Sequence, residues 1–142
     1  MQTQGVEVSA LPIGNGSFIV RQANDIPTLS AEMQRGFDAY LIAHPNAILF
    51  DIDLTGGGAG NVFICQALMV PGNSEGPAED MFANQEIQWF FGSDAHTLQT
   101  KENAYLLTLG PSFSLWAWSA ASAGDGAIWG KVLVTWNPDG PG

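Results

Sequence analysis

Basic residues are nearly missing: four Lys and Arg stand against fourteen Asp and Glu, for a formal net charge of −10. A surface so poor in cations cannot make the phosphate contacts on which nucleic-acid affinity rests, so nucleic acid is not an expected partner. It offers no polybasic segment to an anionic membrane either. Long apolar runs are also missing; none approaches the roughly 18 residues of a spanning helix, and membrane insertion is not expected. The single cysteine, Cys65, leaves no intrachain disulfide, and its place in the apolar run 61–70 points to an inert buried thiol. The start Met-Gln-Thr-Gln-Gly has neither a basic region nor an apolar core behind it. No signal peptide is expected, and the chain reads as soluble, cytoplasmic or part of an assembled particle.

Charge of either sign is scarce as well. Charged residues are 13% of the chain, about half the usual share, while 46% of its 142 residues are apolar, with five Trp and eight Phe. That is the size of a single domain, 1–142, able to bury a core without a metal or disulfide. The aromatic excess suits cores, protein interfaces and sugar platforms alike. Low charge with many small residues suggests a surface partly covered in an assembly.

Most apolar segments alternate with a period of two, which predicts strands. Such segments cover 5–13, 17–21, 47–54, 61–70, 85–91, 96–100, 104–109, 113–119 and 128–136, with Asn15-Gly16 as a tight turn between the first two. In 47–54, Ile48, Phe50, Ile52 and Leu54 face one way and Asp51 and Asp53 the other. One helix is predicted over 31–43, capped by Ser30, because Met33, Phe37, Tyr40, Leu41 and His44 recur at helical spacing. A strand over 37–43 is the competing reading. No internal repeat emerges. The expected fold is all-β: an antiparallel β-sandwich, preferably a single jelly roll, with one short helix. An up-and-down barrel and a meander packed on the helix stay open as alternatives.

Motifs for chemistry are sparse. The glycine-rich loop 55–60 lacks both a G-x-G-x-x-G frame and a Gly-Lys-Ser/Thr ending, and a strand follows it, so a hairpin connection is expected rather than a phosphate cradle. Ser93, Asp94 and His96 are neighbours along the chain, which does not place a nucleophile, base and orienting acid in line. One Cys with the distant His44 and His96 gives no zinc spacing. The carboxylate pairs Asp51 with Glu86 and Asp53 with Glu102 would resemble a glycosidase pair only if their strands adjoined. No enzyme activity and no cofactor are expected, with calcium as the one cation the acids suit: Asp51 and Asp53 share a face, and Glu75, in an acidic loop with Glu79 and Asp80, would complete an oxygen set.

The aromatics give the stronger candidates. The run 113–119 is apolar on both faces, with Phe113, Leu115 and Ala117 opposite Ser114, Trp116 and Trp118. A strand with no polar face belongs in an interior or at a subunit interface. The expected function is therefore a non-enzymatic, self-associating structural subunit, such as a component of a virion or another protein shell or fibre. Trp116, Trp118 and Trp129 are the self-association candidates, and the expected partners are further copies or other structural subunits. The alternative is a carbohydrate-binding module, calcium-assisted in one version, in which Trp89, Trp116 and Trp118 stack on sugar rings.

Overall fold

The computed structural model describes residues 16–57, 62–71, 84–124, 126 and 128–137. The strand expected over 5–13, the turn residue Asn15 and the acids Glu75, Glu79 and Asp80 lie outside the described residues. Within them run β1 (Ser17–Ala23), α1 (Ile26–Ala43), β2 (Ile48–Gly56), β3 (Phe63–Val70), β4 (Gln85–Gly92), α2 (Ala95–Leu106), β5 (Ser114–Ala123) and β6 (Ile128–Trp136). The strands form two three-stranded antiparallel sheets, β1-β3-β2 and β4-β6-β5. The chain is mostly β, with two helices where one short helix was expected.

An aspartate starts each helix. The Asp25 carboxylate accepts the Thr28 N–H at 2.7 Å, and Pro27 occupies the first turn, where a missing N–H costs nothing. This cap lies upstream of Ser30, so α1 begins five residues earlier than its apolar spacing suggested. Ile26, Leu29, Met33 and Phe37 form its buried stripe, which removes the strand reading of 37–43. Asp94 accepts the Thr97 N–H at 2.7 Å and starts α2, where strands over 96–100 and 104–109 were expected. Leu98 is the one buried residue of α2, so the helix carries no apolar stripe to betray it.

Both β2 and β5 contain a bulge at their third residue. The pairing skips Phe50 between Leu49 and Asp51, and skips Trp116 between Leu115 and Ala117. A bulge reverses the alternation beyond it. Leu49 therefore shares a face with Ile52 and Leu54, all buried, and Leu115 shares one with Trp118. The expected grouping of Trp116 with Trp118 is corrected on this ground.

The second half of the chain repeats the first. Each half is a strand, a helix capped through Asp-x-x-Thr-Leu, and two further strands, with the third strand central in the sheet. The registers agree residue for residue: Leu49 opposite Met69 answers to Leu115 opposite Thr135, and Ser17 opposite Met69 answers to Glu86 opposite Thr135. In the first sheet one face, with Ile19, Ile52, Leu54, Phe63, Cys65 and Met69, is buried beneath α1. Burying a side chain such as Phe37 or Leu49 contributes roughly 1.5–3 kcal/mol. The opposite face, with Phe18, Val20, Ile64, Asp51 and Asp53, is exposed.

In the second sheet the corresponding helix-side face holds Phe90 and Leu133 against Leu98, Tyr105 and Trp129. Its other face, with Ile87, Trp89, Ala117, Val132 and Val134, packs into the core that α1 and the first sheet share. The two halves therefore stack head to tail. The back of the second sheet fills the space beside α1 on the front of the first.

Candidate functional site

The seam between the halves is made where β2, an edge strand, meets the second sheet. An unpaired edge presents bare N–H and C=O groups, and here side chains satisfy them. The Gln85 amide takes both groups of Leu49: the Leu49 N–H donates to Oε1 at 2.9 Å, and Nε2 donates to the Leu49 carbonyl at 3.0 Å. Further along, the Leu54 N–H donates to the Ser119 hydroxyl at 2.9 Å. The same hydroxyl is within donating reach of the Leu54 carbonyl at 3.2 Å and of the Asp53 carboxylate at 3.4 Å. Where the strands end, the Gly124 N–H donates to the Gly57 carbonyl at 3.1 Å. From Leu54 with Ser119 to Gly57 with Gly124 the contacts advance together along β2 and β5, so the two strands run side by side in one direction, while Gln85 reaches Leu49 from β4.

The matching region of the second half is open. Between α2 and β5 lies a groove of ≈ 470 Å³, lined by Leu106, Leu109, Phe113, Leu115, Trp118 and Leu133, among others. Trp118 is 57% exposed there, and Leu107 on the adjoining turn is 89% exposed. On its floor Lys131 pairs with Glu102 at 2.8 Å, both partly buried. Thr135, only 2% exposed, also lines the groove, with its hydroxyl toward the Tyr105 phenol. Burial holds the nearby Tyr105 phenol above its ordinary range, with the Glu86 carboxylate adding to the effect.

At the other end, the open face of the first sheet carries Phe18, 64% exposed, with Val20 and Ile64. The bulged Phe50 joins Phe18 and Leu68 around a shallow depression of ≈ 210 Å³ that Asp51 and Asp53 flank.

The tryptophans singled out from the sequence separate. Trp118 lines the groove, whereas the bulged Trp116, 38% exposed, lies near Trp136 with ring centroids 6.5 Å apart and planes tilted by 42°. Trp129 belongs to the small core beneath α2, and its indole N–H donates to the Gly126 carbonyl at 3.0 Å. Trp89 packs against the main core. A platform of Trp89, Trp116 and Trp118 is therefore not assembled.

Asp51 and Asp53 share the open face of the first sheet, as their alternation implied, while Glu75 is outside the described residues. Asp51 also accepts the N–H of Ile52 at 2.9 Å. Among the described residues, no three His, Cys, Asp or Glu side chains group as a metal site. Glu86 and Glu102 lie on the α2 side of the second sheet, bonded to Tyr105 and Lys131, so neither joins Asp51 or Asp53. Asp94 caps α2, and hydrogen bonding from Thr97 holds its carboxyl below the ordinary 3.8. His44 stacks on Tyr40 at 4.4 Å at the end of α1. Burial, with Asp53 adding to it, pushes the Cys65 thiol up to about 12. Among the described residues no helix is long and apolar enough to cross a membrane.

Sequence reasoning missed Gln85 and Ser119 as seam residues and Phe18, Val20 and Ile64 as a surface patch. The first two are ordinary polar residues in strands, and nothing in their spacing marks an edge to be capped. The patch was obscured because β1 and β3 look like buried strands wherever the covering layer is unknown. No protein-family model, curated protein or solved structure matches the chain.

Proposed function

We propose that the chain is a non-enzymatic structural subunit that self-associates, as a component of a virion or another protein shell or fibre. The observation that carries this is the pair of uncovered apolar surfaces at opposite ends of the stack: the Phe18, Val20 and Ile64 face and the Leu115 and Trp118 groove. Exposed apolar patches of this kind mark contact surfaces. The reading includes a single domain made of two stacked sheets. Each sheet here takes its strands from one half of the chain, which favours a stacked pair of repeats over the interleaved strands of a jelly roll.

Size-exclusion chromatography with light scattering tests the proposal. A mass above that of the monomer, rising with protein concentration, supports it. A monomer at high micromolar concentration with no partner added overturns it. The second reading, carbohydrate binding, rests on the exposure of the Trp118 ring in the groove, where a sugar ring could stack on it. Titration with a panel of glycans, with and without chelator, tests that reading, and loss of binding in Trp118→Ala is its expected signature.

A further inference from the structure

From the repeat and its stacking we infer that copies of this chain add head to tail, the open face of the first sheet of one copy seating in the α2 and β5 groove of the next. This rests on the self-association proposed above and specifies its geometry. The occupant is a second copy because the chain already contains the same contact once. Within the chain, the back of the second sheet sits against β2 beside α1, on Leu49, Ile52 and Leu54. The equivalent receiving positions in the second half are Leu115, Trp118 and Ala120, all uncovered. The equivalents of the seated residues Ile87 and Trp89 are Phe18 and Val20, also uncovered. One half of the interface is therefore left over at each end of the molecule.

The side chains at the leftover surfaces are matched to each other rather than copied. Inside the chain Gly130 faces Ile26, so closely that a Cβ on Gly130 would lie 2.5 Å from the Ile26 Cδ1. At the corresponding places outside, the incoming residue is Ile64 and the receiving residue is Ala95, which is exposed. The large and small partners have changed sides, which keeps the summed volume at the contact similar. The groove floor is more polar than its counterpart, since Glu102 and Lys131 stand where Met33 and Cys65 are buried in the first half. Their ion pair lets the free groove stay wetted, and the incoming face brings Asp51 and Asp53 toward the side of the molecule that holds Lys131. A contact of this type is heterologous, so it extends into a filament or closes into a ring rather than ending at a two-fold dimer.

Two surface variants test the geometry. One blocks the open face with Val20→Arg and Ile64→Arg, and the other blocks the groove with Leu115→Arg and Trp118→Arg. All four positions are exposed, and the added Arg residues lower the negative charge, so lost assembly cannot come from greater repulsion. Circular dichroism and thermal unfolding check that each variant is folded, and a single-site pair, Ile64→Arg and Trp118→Arg, replaces either that is not. The expected result is that each variant alone is a monomer by light scattering, while an equimolar mixture gives a one-to-one dimer, because one intact surface of each kind remains. Assembly by either variant alone, or no dimer on mixing, overturns head-to-tail addition while leaving self-association standing. A monomeric unsubstituted chain overturns both.

Discussion

Replacing Gln85 with Ala removes the clamp on the edge of β2 without touching either sheet's ladder. The side-chain amide is the partner of both the N–H and the C=O of Leu49, at 2.9 and 3.0 Å, and both residues are buried. Truncation leaves two backbone groups in the interior with nothing to bond. Each such group costs about 1–3 kcal/mol, so a loss of about 2–6 kcal/mol is expected, a large part of the 5–15 kcal/mol typical of a domain. For a chain of this length that corresponds to roughly 6–24 °C in melting temperature, at about 3–4 °C per kcal/mol. Gln85→Glu should be as harmful or worse, because a carboxylate cannot donate to the Leu49 carbonyl and would be buried beside it. Denaturant unfolding followed by Trp fluorescence gives the magnitude. A change below about 0.5 kcal/mol in Gln85→Ala would refute the assignment of Gln85 as the edge partner, because surface substitutions alone reach that size.

Three further outcomes follow from the same structure. Gly56→Ala would place a Cβ 2.1 Å from the Ser122 carbonyl oxygen, so one strand must shift and a destabilisation of about 1–3 kcal/mol is expected by urea unfolding. Asp25 and Asp94 both have folded-state pKa values held below the ordinary 3.8 by the hydrogen bonds they accept at their helix caps. Their stabilisation is therefore complete above the unfolded value and disappears as pH falls through the folded one. The double substitution Asp25→Asn and Asp94→Asn should flatten the fall in urea midpoint below about pH 4, and an unchanged slope would count against the caps. The Cys65 thiol, buried and pushed up to about 12, should react with an aromatic disulfide reagent only after unfolding; rapid labelling of the native chain, read by absorbance, would contradict its burial.

Periodicity exposed much of the architecture because burial in this chain is strongly alternating. The β3 residues Phe63, Cys65, Ala67 and Met69 are buried, with the exposed Ile64 and Gln66 between them, and a run read as a strand from its residues proved to be one. Helix α2 was hidden for a physical reason: it buries Leu98 alone, and His96, Leu98 and Thr100, alternating with Thr97 and Gln99, imitate a strand. The signal that would have found it is the recurrence of Asp25-x-x-Thr28-Leu29 as Asp94-x-x-Thr97-Leu98. The wider repeat was masked by unlike side chains at equivalent positions, Met33 against Glu102 and Cys65 against Lys131. Only the backbone registers bring them into line.

The bulges account for the remaining difference at the candidate site. A period-two reading carried Trp116 and Trp118 to one face, but the extra residue in β5 sends Trp118 into the groove with Leu115 and leaves Trp116 beside Trp136. The doubly apolar character of this strand was legible in its residues, whereas the groove depends on α2 stopping at Leu106 while α1 continues to Ala43 at the corresponding edge of the first sheet. A helix length set by tertiary packing is not written in local propensity.

Sedimentation velocity of the unsubstituted chain over a wide concentration range, at low and at moderate salt, tests self-association most directly. The expected result is a weight-average mass that climbs with concentration and climbs further as salt screens the −10 charge on each copy. A single species at the monomer mass in every condition would contradict it.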